Sequence, residues 1–262
     1  MRLAHISDVH FGGENAAAVD AAGAWIAEHQ PGLTLITGDV TREGARPEFE
    51  AARQWINGLA CETLVVPGNH DTPYFNLAKR LFAPWRRYER YFGDLPRGAF
   101  ERPGLAVASV NTARGVQVRL NWSKGAISAG QASAAAQTLA GAAPGALRIV
   151  ACHHPLIEMI GAPMSGRVRG GRAAAETFAR AKVDLVLTGH VHAPFALPYP
   201  GGDGRTWAIG ASTLSIRERG APIGFNSLEV ESDTVRVTAL AWTGSHFEAW
   251  RTWSMDRRPR AG

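Results

Sequence analysis

The sequence predicts an α/β protein, a four-layer α-β-β-α sandwich with two packed mixed β-sheets. Three observations point there. Apolar runs of strand length alternate with segments of helical period through the first half of the chain. Two more such strands appear later, each preceded by an Ala-rich helical segment. The last third changes to short β-rich runs broken by Gly, Asp and Ser, with no helices between them.

Taken in order, residues 3–7 form the first strand, and residues 16–29 a helix in which Val19, Ala22, Trp25 and Ile26 recur at helical spacing. Residues 33–37 form a second strand, followed by a helix over 47–59 that Pro47 opens at a favoured first-turn position. Strand 63–66 leads to a helical stretch over 75–91. Helices at 129–140 and 171–181 precede strands 147–151 and 183–187. These strands read as a parallel sheet buried on both faces. Runs 105–111, 205–212, 225–230 and 234–242 read as antiparallel strands of a second sheet packed on the first. The expected organisation is one domain over 1–250 and a C-terminal tail, 251–262, in which Arg257-Arg258-Pro259-Arg260 is solubilising.

Composition narrows the function classes. A formal charge of +5 is a mild basic excess that favours phosphate-bearing substrates, while no aromatic-interleaved basic stripe marks a nucleic-acid groove. No stable nucleic-acid partner is expected. Cys61 and Cys152 are too few for a disulfide framework, residues 1–2 run straight into the first strand without an apolar leader, and no apolar stretch reaches membrane-span length. The expectation is a cytoplasmic protein. Trp242, Trp250 and Trp253 point to packing, or to a homodimer if they leave an apolar face exposed.

Five of the apolar runs end in clusters of metal-ligand residues: Asp8-Val9-His10, Gly38-Asp39, Gly68-Asn69-His70-Asp71, His153-His154-Pro155 and Gly189-His190-Val191-His192. Ligands in open α/β sheets bind beyond the carboxyl ends of the strands, where every cluster falls. In extended chain, residues two apart point the same way, so Asp8 and His10 can reach one ion, and so can His190 and His192. Imidazole with carboxylate suits Mn, Fe, Zn or Co, and Asn69 adds an uncharged oxygen. With only Asp8 and Asp39 as carboxylates, a two-ion centre stays net positive, which suits an anionic phosphate and its transition state. His70 can then protonate the leaving oxygen, oriented by Asp71. His154, Asn111 and Arg167 are candidate substrate contacts, and the Gly- and Arg-containing segment 157–172 is a candidate lid.

The series DVH, GDV, GNHD, HHP and GHVH, in this order, resembles the calcineurin-like metallophosphoesterase superfamily over residues 3–192. The resemblance implies two transition-metal ions, with Asp8, His10, Asp39 and His192 on the first and Asp39, Asn69, His153 and His190 on the second. Asp39 bridges, and a metal-bridging hydroxide attacks. It also implies that His70 aids the leaving group. The segment 38–44 with GNHD looks like the class III cyclic-nucleotide phosphodiesterases and their bacterial relatives, so a small phosphodiester is the expected substrate. Alternatives are a glycerophosphodiesterase or other lipid-derived phosphodiesterase, and a catalytically weak binding scaffold.

Overall fold

The structure, a computed structural model, describes residues 1–94, 99–118, 121–158, 168–199 and 203–259. The first β-α-β-α-β run is β1 (Arg2–Ile6), α1 (Ala16–His29), β2 (Leu33–Thr37), α2 (Arg46–Gly58) and β3 (Thr63–Val66). Asn15 starts α1 by accepting the Ala18 N–H on its side chain, which satisfies one of the orphan donors of the first turn. Two short helices follow, α3 (Leu77–Phe82) and α4 (Arg86–Phe92), where one helix over 75–91 was expected. Pro84 lies between them, has no N–H to give and breaks the ladder.

The chain continues through β4 (Ala99–Arg102), β5 (Leu105–Val110), α5 (Ala129–Ala140), β6 (Leu147–Cys152), α6 (Gly171–Arg180) and β7 (Leu185–Thr188). It ends with β8 (Phe195–Pro198), β9 (Trp207–Gly210), β10 (Gly224–Val230), β11 (Thr234–Trp242) and β12 (Phe247–Asp256). One sheet has the order β12-β11-β10-β1-β2-β3, the other β4-β5-β6-β7-β9-β8. Both are mixed. Period-2 alternation sends Leu3, Leu33, Leu35, Ile149 and Leu187 into the layer between the sheets, and Ala4, Ile6 and Ile36 outward onto α1 and α2. Helices α5 and α6 cover the outer face of the other sheet.

Strand membership differs from expectation. The parallel strands are divided between the sheets: β5 and β9 run parallel beside β6 and β7, while β10 and β11 extend the first sheet antiparallel from β1. Residues 251–256 are not tail but the second half of β12, paired with β11. Arg258 is half-buried and paired with Asp184 at 2.7 Å rather than loose in solvent, and Arg260 lies outside the described residues. Trp253 packs on the inter-sheet core and Trp242 on Phe247, while Trp250 is exposed. No helix among the described residues is long and apolar enough to cross a membrane.

His5, inside β1, is fully buried. Asn226 donates to its Nδ1 at 3.2 Å and its Nε2 meets the Thr37 hydroxyl at 3.0 Å, an arrangement that holds the neutral ring. Burial lowers its pKa from 6.5 to about 3, against the attraction of Asp8. The unfolded chain therefore binds a proton that the folded chain refuses, and stability is lost as pH falls below 6.5. At pH 5 the loss from this residue is about 2 kcal/mol. Urea unfolding of chelator-treated protein at pH 7.5 and pH 5 should show a pH penalty smaller by that amount in His5→Gln; an equal penalty in both proteins would remove His5 as its source.

Candidate metal centre

The donors sit on tight loops rather than in extended chain. Asp8, His10, Asp39, His190 and His192 all adopt left-handed backbone, with φ of 53°, 53°, 49°, 69° and 56°. Such angles cost a non-glycine residue on the order of 1 kcal/mol each and persist only where the surroundings enforce them. Here they do. The loop after β1 is zipped to the loop after β2 through Asp8 N–H to Gly38 O (3.0 Å), His10 N–H to Asp39 O (3.0 Å) and Phe11 N–H to Val40 O (2.8 Å). Glycines let backbones close in: a Cβ on Gly68 would lie 2.1 Å from Asp39 Oδ1, and one on Gly189 would lie 1.7 Å from Ser7 Oγ.

Asp8 is fixed through Oδ2, which accepts from the Ser7 hydroxyl (2.6 Å) and the His190 N–H (2.8 Å). Its Oδ1 is left facing His192 Nε2 at 3.1 Å and His10 Nε2 at 3.8 Å. Asp39 likewise uses Oδ1 to take the His70 N–H (2.8 Å). Its Oδ2 stands 3.2 Å from His153 Nε2 and 3.9 Å from His10 Nε2. The donor atoms fall into three groups, each within 4.8 Å: Asp8, His10 and His192; Asp8, Asp39 and His153; and His153, His154 and His190. His190 and His192 thus belong to different groups. Left-handed backbone, not a strand, separates them, so the two-residue rule does not hold there.

The histidines are oriented for ligation. Carbonyls only accept, so His153 Nδ1–H donates to Thr37 O (2.8 Å) and His192 Nδ1–H donates to Arg217 O (2.7 Å), which turns each Nε2 toward a carboxylate. Burial lowers His10 and His190 to about 3, and His190 is held down further by His153. Burial alone would also lower His153, but Asp39 and Asp8 raise it to about 9. Asp39 stays well below the usual carboxylate range because His153, His70 and His10 outweigh its burial, and Asp8 does so chiefly through His192. A cation arriving between these carboxylates would compete with a proton on His153.

Do these residues fit a metal pair? Asp8 Oδ1, Asn69 Oδ1, His153 Nε2 and His10 Nδ1 are buried without a hydrogen-bond partner. Buried polar atoms without partners are costly, and cations held between these loops would satisfy them. Nitrogen donors with few carboxylates suit Mn, Fe, Zn or Co. Atoms bound to one ion at about 2.0–2.2 Å are necessarily about 3–4 Å apart, the spacing seen around Asp8 and Asp39. The fit holds for Asp8, His10, Asp39, Asn69, His153, His190 and His192.

Other expected site residues are placed differently. Asp71 does not reach the His70 ring: its Oδ1 takes the Thr41 N–H and hydroxyl (both 2.9 Å), and its Oδ2 takes the Gly68 N–H (2.8 Å). It clamps two loops together. Burial and nearby Asp39 push its pKa up to about 7 against those hydrogen bonds. His70 is instead held by the carbonyl of Arg42, to which Nδ1–H donates at 2.6 Å, leaving Nε2 at the cleft. Both ring nitrogens of His154 are used, Nδ1 by the Thr112 hydroxyl (2.9 Å) and Nε2–H by Ser123 O (2.8 Å), so it braces the 121–124 loop. Asn111 caps its own turn, accepting the Ala113 N–H. Arg114 is engaged by the Asn111 and Ala113 carbonyls and by Gln131. Arg167 and residues 159–167 of the expected lid lie outside the described residues.

A cleft of about 510 Å³ opens on the donors. Asp39, Asn69, His190 and His192 line it together with His70, and its walls include Tyr74, Arg80, Trp122, Arg217 and Arg219. None of these five wall residues carried a local sequence signal. The Arg80 guanidinium lies 5.8 Å from the Tyr74 ring centre and 5.6 Å from that of Trp122. Arg80 Nε–H is tied to Gly115 O at 2.8 Å.

A buried nest of imidazole, carboxylate and amide donors at the strand ends of a four-layer sandwich defines a metal-dependent hydrolase. The chain belongs to the calcineurin-like phosphoesterase family, whose profile matches residues 1–194. It is 26% identical over 220 residues to a probable cyclic nucleotide phosphodiesterase from Synechococcus sp., covering 82% of this chain and 78% of that protein. A glycerophosphodiester phosphodiesterase from Enterobacter lignolyticus is 35% identical over 82 residues, covering 27% of this chain and 30% of that one. Among solved structures, a dimetal phosphatase from Danio rerio has a TM-score of 0.68 at 13% identity, covering 98% of this chain and 99% of the other.

Proposed function

We propose that the protein is a two-metal phosphodiesterase for a small diester, with 3′,5′-cyclic nucleotides the first substrates to try. The observation that carries the diester reading is the shape of the cleft around His70. A second lobe of about 300 Å³ adjoins the first, and His70, Tyr74 and Arg217 line both. A monoester has one organic arm to place, whereas a diester has two. The names of the two curated relatives point the same way.

In this reading Asp8, His10, Asp39 and His192 hold one ion, and Asp39, Asn69, His153 and His190 hold the other, with Asp39 shared. When bound, the ions supply Lewis-acid stabilisation of the charge that builds on the phosphate and a nucleophile at neutral pH. His70 protonates the departing alkoxide from Nε2. Because Nδ1–H is committed to the Arg42 carbonyl, Nε2 carries a proton to give only in the imidazolium form, so His70 must enter the reaction charged. The carbonyl and the edge contact with His10, at 4.8 Å between ring centres, hold that ring in place.

The test is a panel of cyclic nucleotides, glycerophosphodiesters, bis-p-nitrophenyl phosphate and p-nitrophenyl phosphate with added Mn²⁺. Diesters should exceed the monoester in kcat/KM by about tenfold or more. Preference for the monoester would overturn the proposal, and turnover confined to glycerophosphodiesters would move the substrate to the lipid-derived class.

A further inference from the structure

The walls of the cleft carry more positive charge than one diester group needs. Arg80, Arg217 and Arg219 line its larger lobe, where the carboxylate present is Asp39, already engaged with histidines and the His70 N–H. In the smaller lobe, Glu43 is spoken for by Arg42 at 3.6 Å. Among the described residues neither Arg217 nor Arg219 has a carboxylate within ion-pair distance. A diester phosphate brings a single negative charge, and the metal donor set, with two carboxylates for two ions, already leaves a positive centre to receive it.

The two arginines are not on a loose loop. The Arg217 carbonyl accepts from His192 Nδ1 at 2.7 Å, its N–H donates to Ser215 Oγ at 3.2 Å, and Arg219 Nη1 donates to the His190 carbonyl at 3.3 Å. The segment is thus tied to two of the metal-donor histidines, which sets the distance between the reacting phosphorus and whatever these guanidiniums grip. Arg217 also borders both lobes, where it meets either arm of a bound diester. Planar guanidinium forks bind phosphate oxygens bidentately and hold their charge at every working pH.

We infer that Arg217 and Arg219 form a recognition site for a second phosphate-like group, so that among small diesters the cleft favours those in which one alcohol bears a further phosphate over the simple 3′,5′-cyclic nucleotides. As a statement about substrate class this rests on the diesterase reading above. Arg80, stacked between Tyr74 and Trp122, is left to face the organic part of that alcohol.

Equilibrium binding of adenosine 3′,5′-bisphosphate and of 5′-AMP to the Mn²⁺-loaded protein tests the site without turnover. The bisphosphate should bind about tenfold or more tightly, and Arg217→Gln with Arg219→Gln should bring the two constants within about threefold. Because Arg219 also holds the His190 carbonyl, Arg217→Gln alone is the second variant; it should remove part of the preference at unchanged metal content. The same preference for glycerol bisphosphate over glycerol 3-phosphate would identify phosphate alone as the recognised group. Equal binding of the paired ligands, or a preference that survives both substitutions, would overturn the inference. Bis-p-nitrophenyl phosphate turnover in the same preparations reports on the diesterase reading separately: preference without turnover would leave the arginine site standing and remove that reading.

Discussion

Asp39→Ala will abolish turnover of bis-p-nitrophenyl phosphate, with a fall on the order of 10³-fold or more, while the protein stays folded. Asp39 Oδ2 stands 3.2 Å from His153 Nε2 and 3.9 Å from His10 Nε2, so one substitution removes the oxygen that both imidazoles face. Metal content measured by elemental analysis after gel filtration should drop with the activity. The fold should survive because the substitution also relieves a conflict: Asp39 is one cause of the raised pKa of buried Asp71. What is lost structurally is one acceptor for the His70 N–H, worth about 1 kcal/mol. Activity within tenfold of wild type at full metal content would refute the shared-ligand assignment.

His70→Ala should behave in the opposite way with respect to metal. The His70 ring is no member of the metal-donor groups, so metal content should stay at the wild-type level. Turnover of diesters with alkoxide leaving groups should fall by about 10²–10³-fold, the usual worth of a positioned acid. With bis-p-nitrophenyl phosphate the loss should be much smaller, because p-nitrophenolate departs without a proton. The contrast between leaving groups is the diagnostic. Equal losses for both would mean that His70 positions substrate instead of protonating it, and loss of metal would make it a ligand.

Local signals were legible where a short-range hydrogen bond enforces them. The bounds of α1, β2 and α5 follow from Asn15, from an apolar run buried on both faces, and from the reciprocal Ser128 and Gln131 cap. Sheet membership was not legible, because β10 pairs with β1 across more than two hundred residues and nothing in either strand names its neighbour. The donors could be read because each follows a strand, and Asp39, Asn69 and His190 stand beside a glycine that admits close packing. Asp71 and His154 could not be placed, since what decides their roles is a partner some thirty to forty residues away: Thr41 for one, Thr112 and Ser123 for the other. Arg217 and Arg219 sit in a polar loop like many others, and only folding shows that it is fastened to His190 and His192.

Asp8, Asp39 and Asn69 come from loops of the first sheet, whereas His153, His190 and His192 come from loops of the second. An ion held by both sets is a rivet through the sandwich. Sheet alignment and metal affinity then become one thermodynamic quantity seen from two ends. Trimming Ile149 or Leu187 in the apolar layer should register as weaker metal retention, and saturating metal should make the layer harder to pry apart. A chelator-rich buffer would accordingly soften the whole body of the molecule and not the cleft alone.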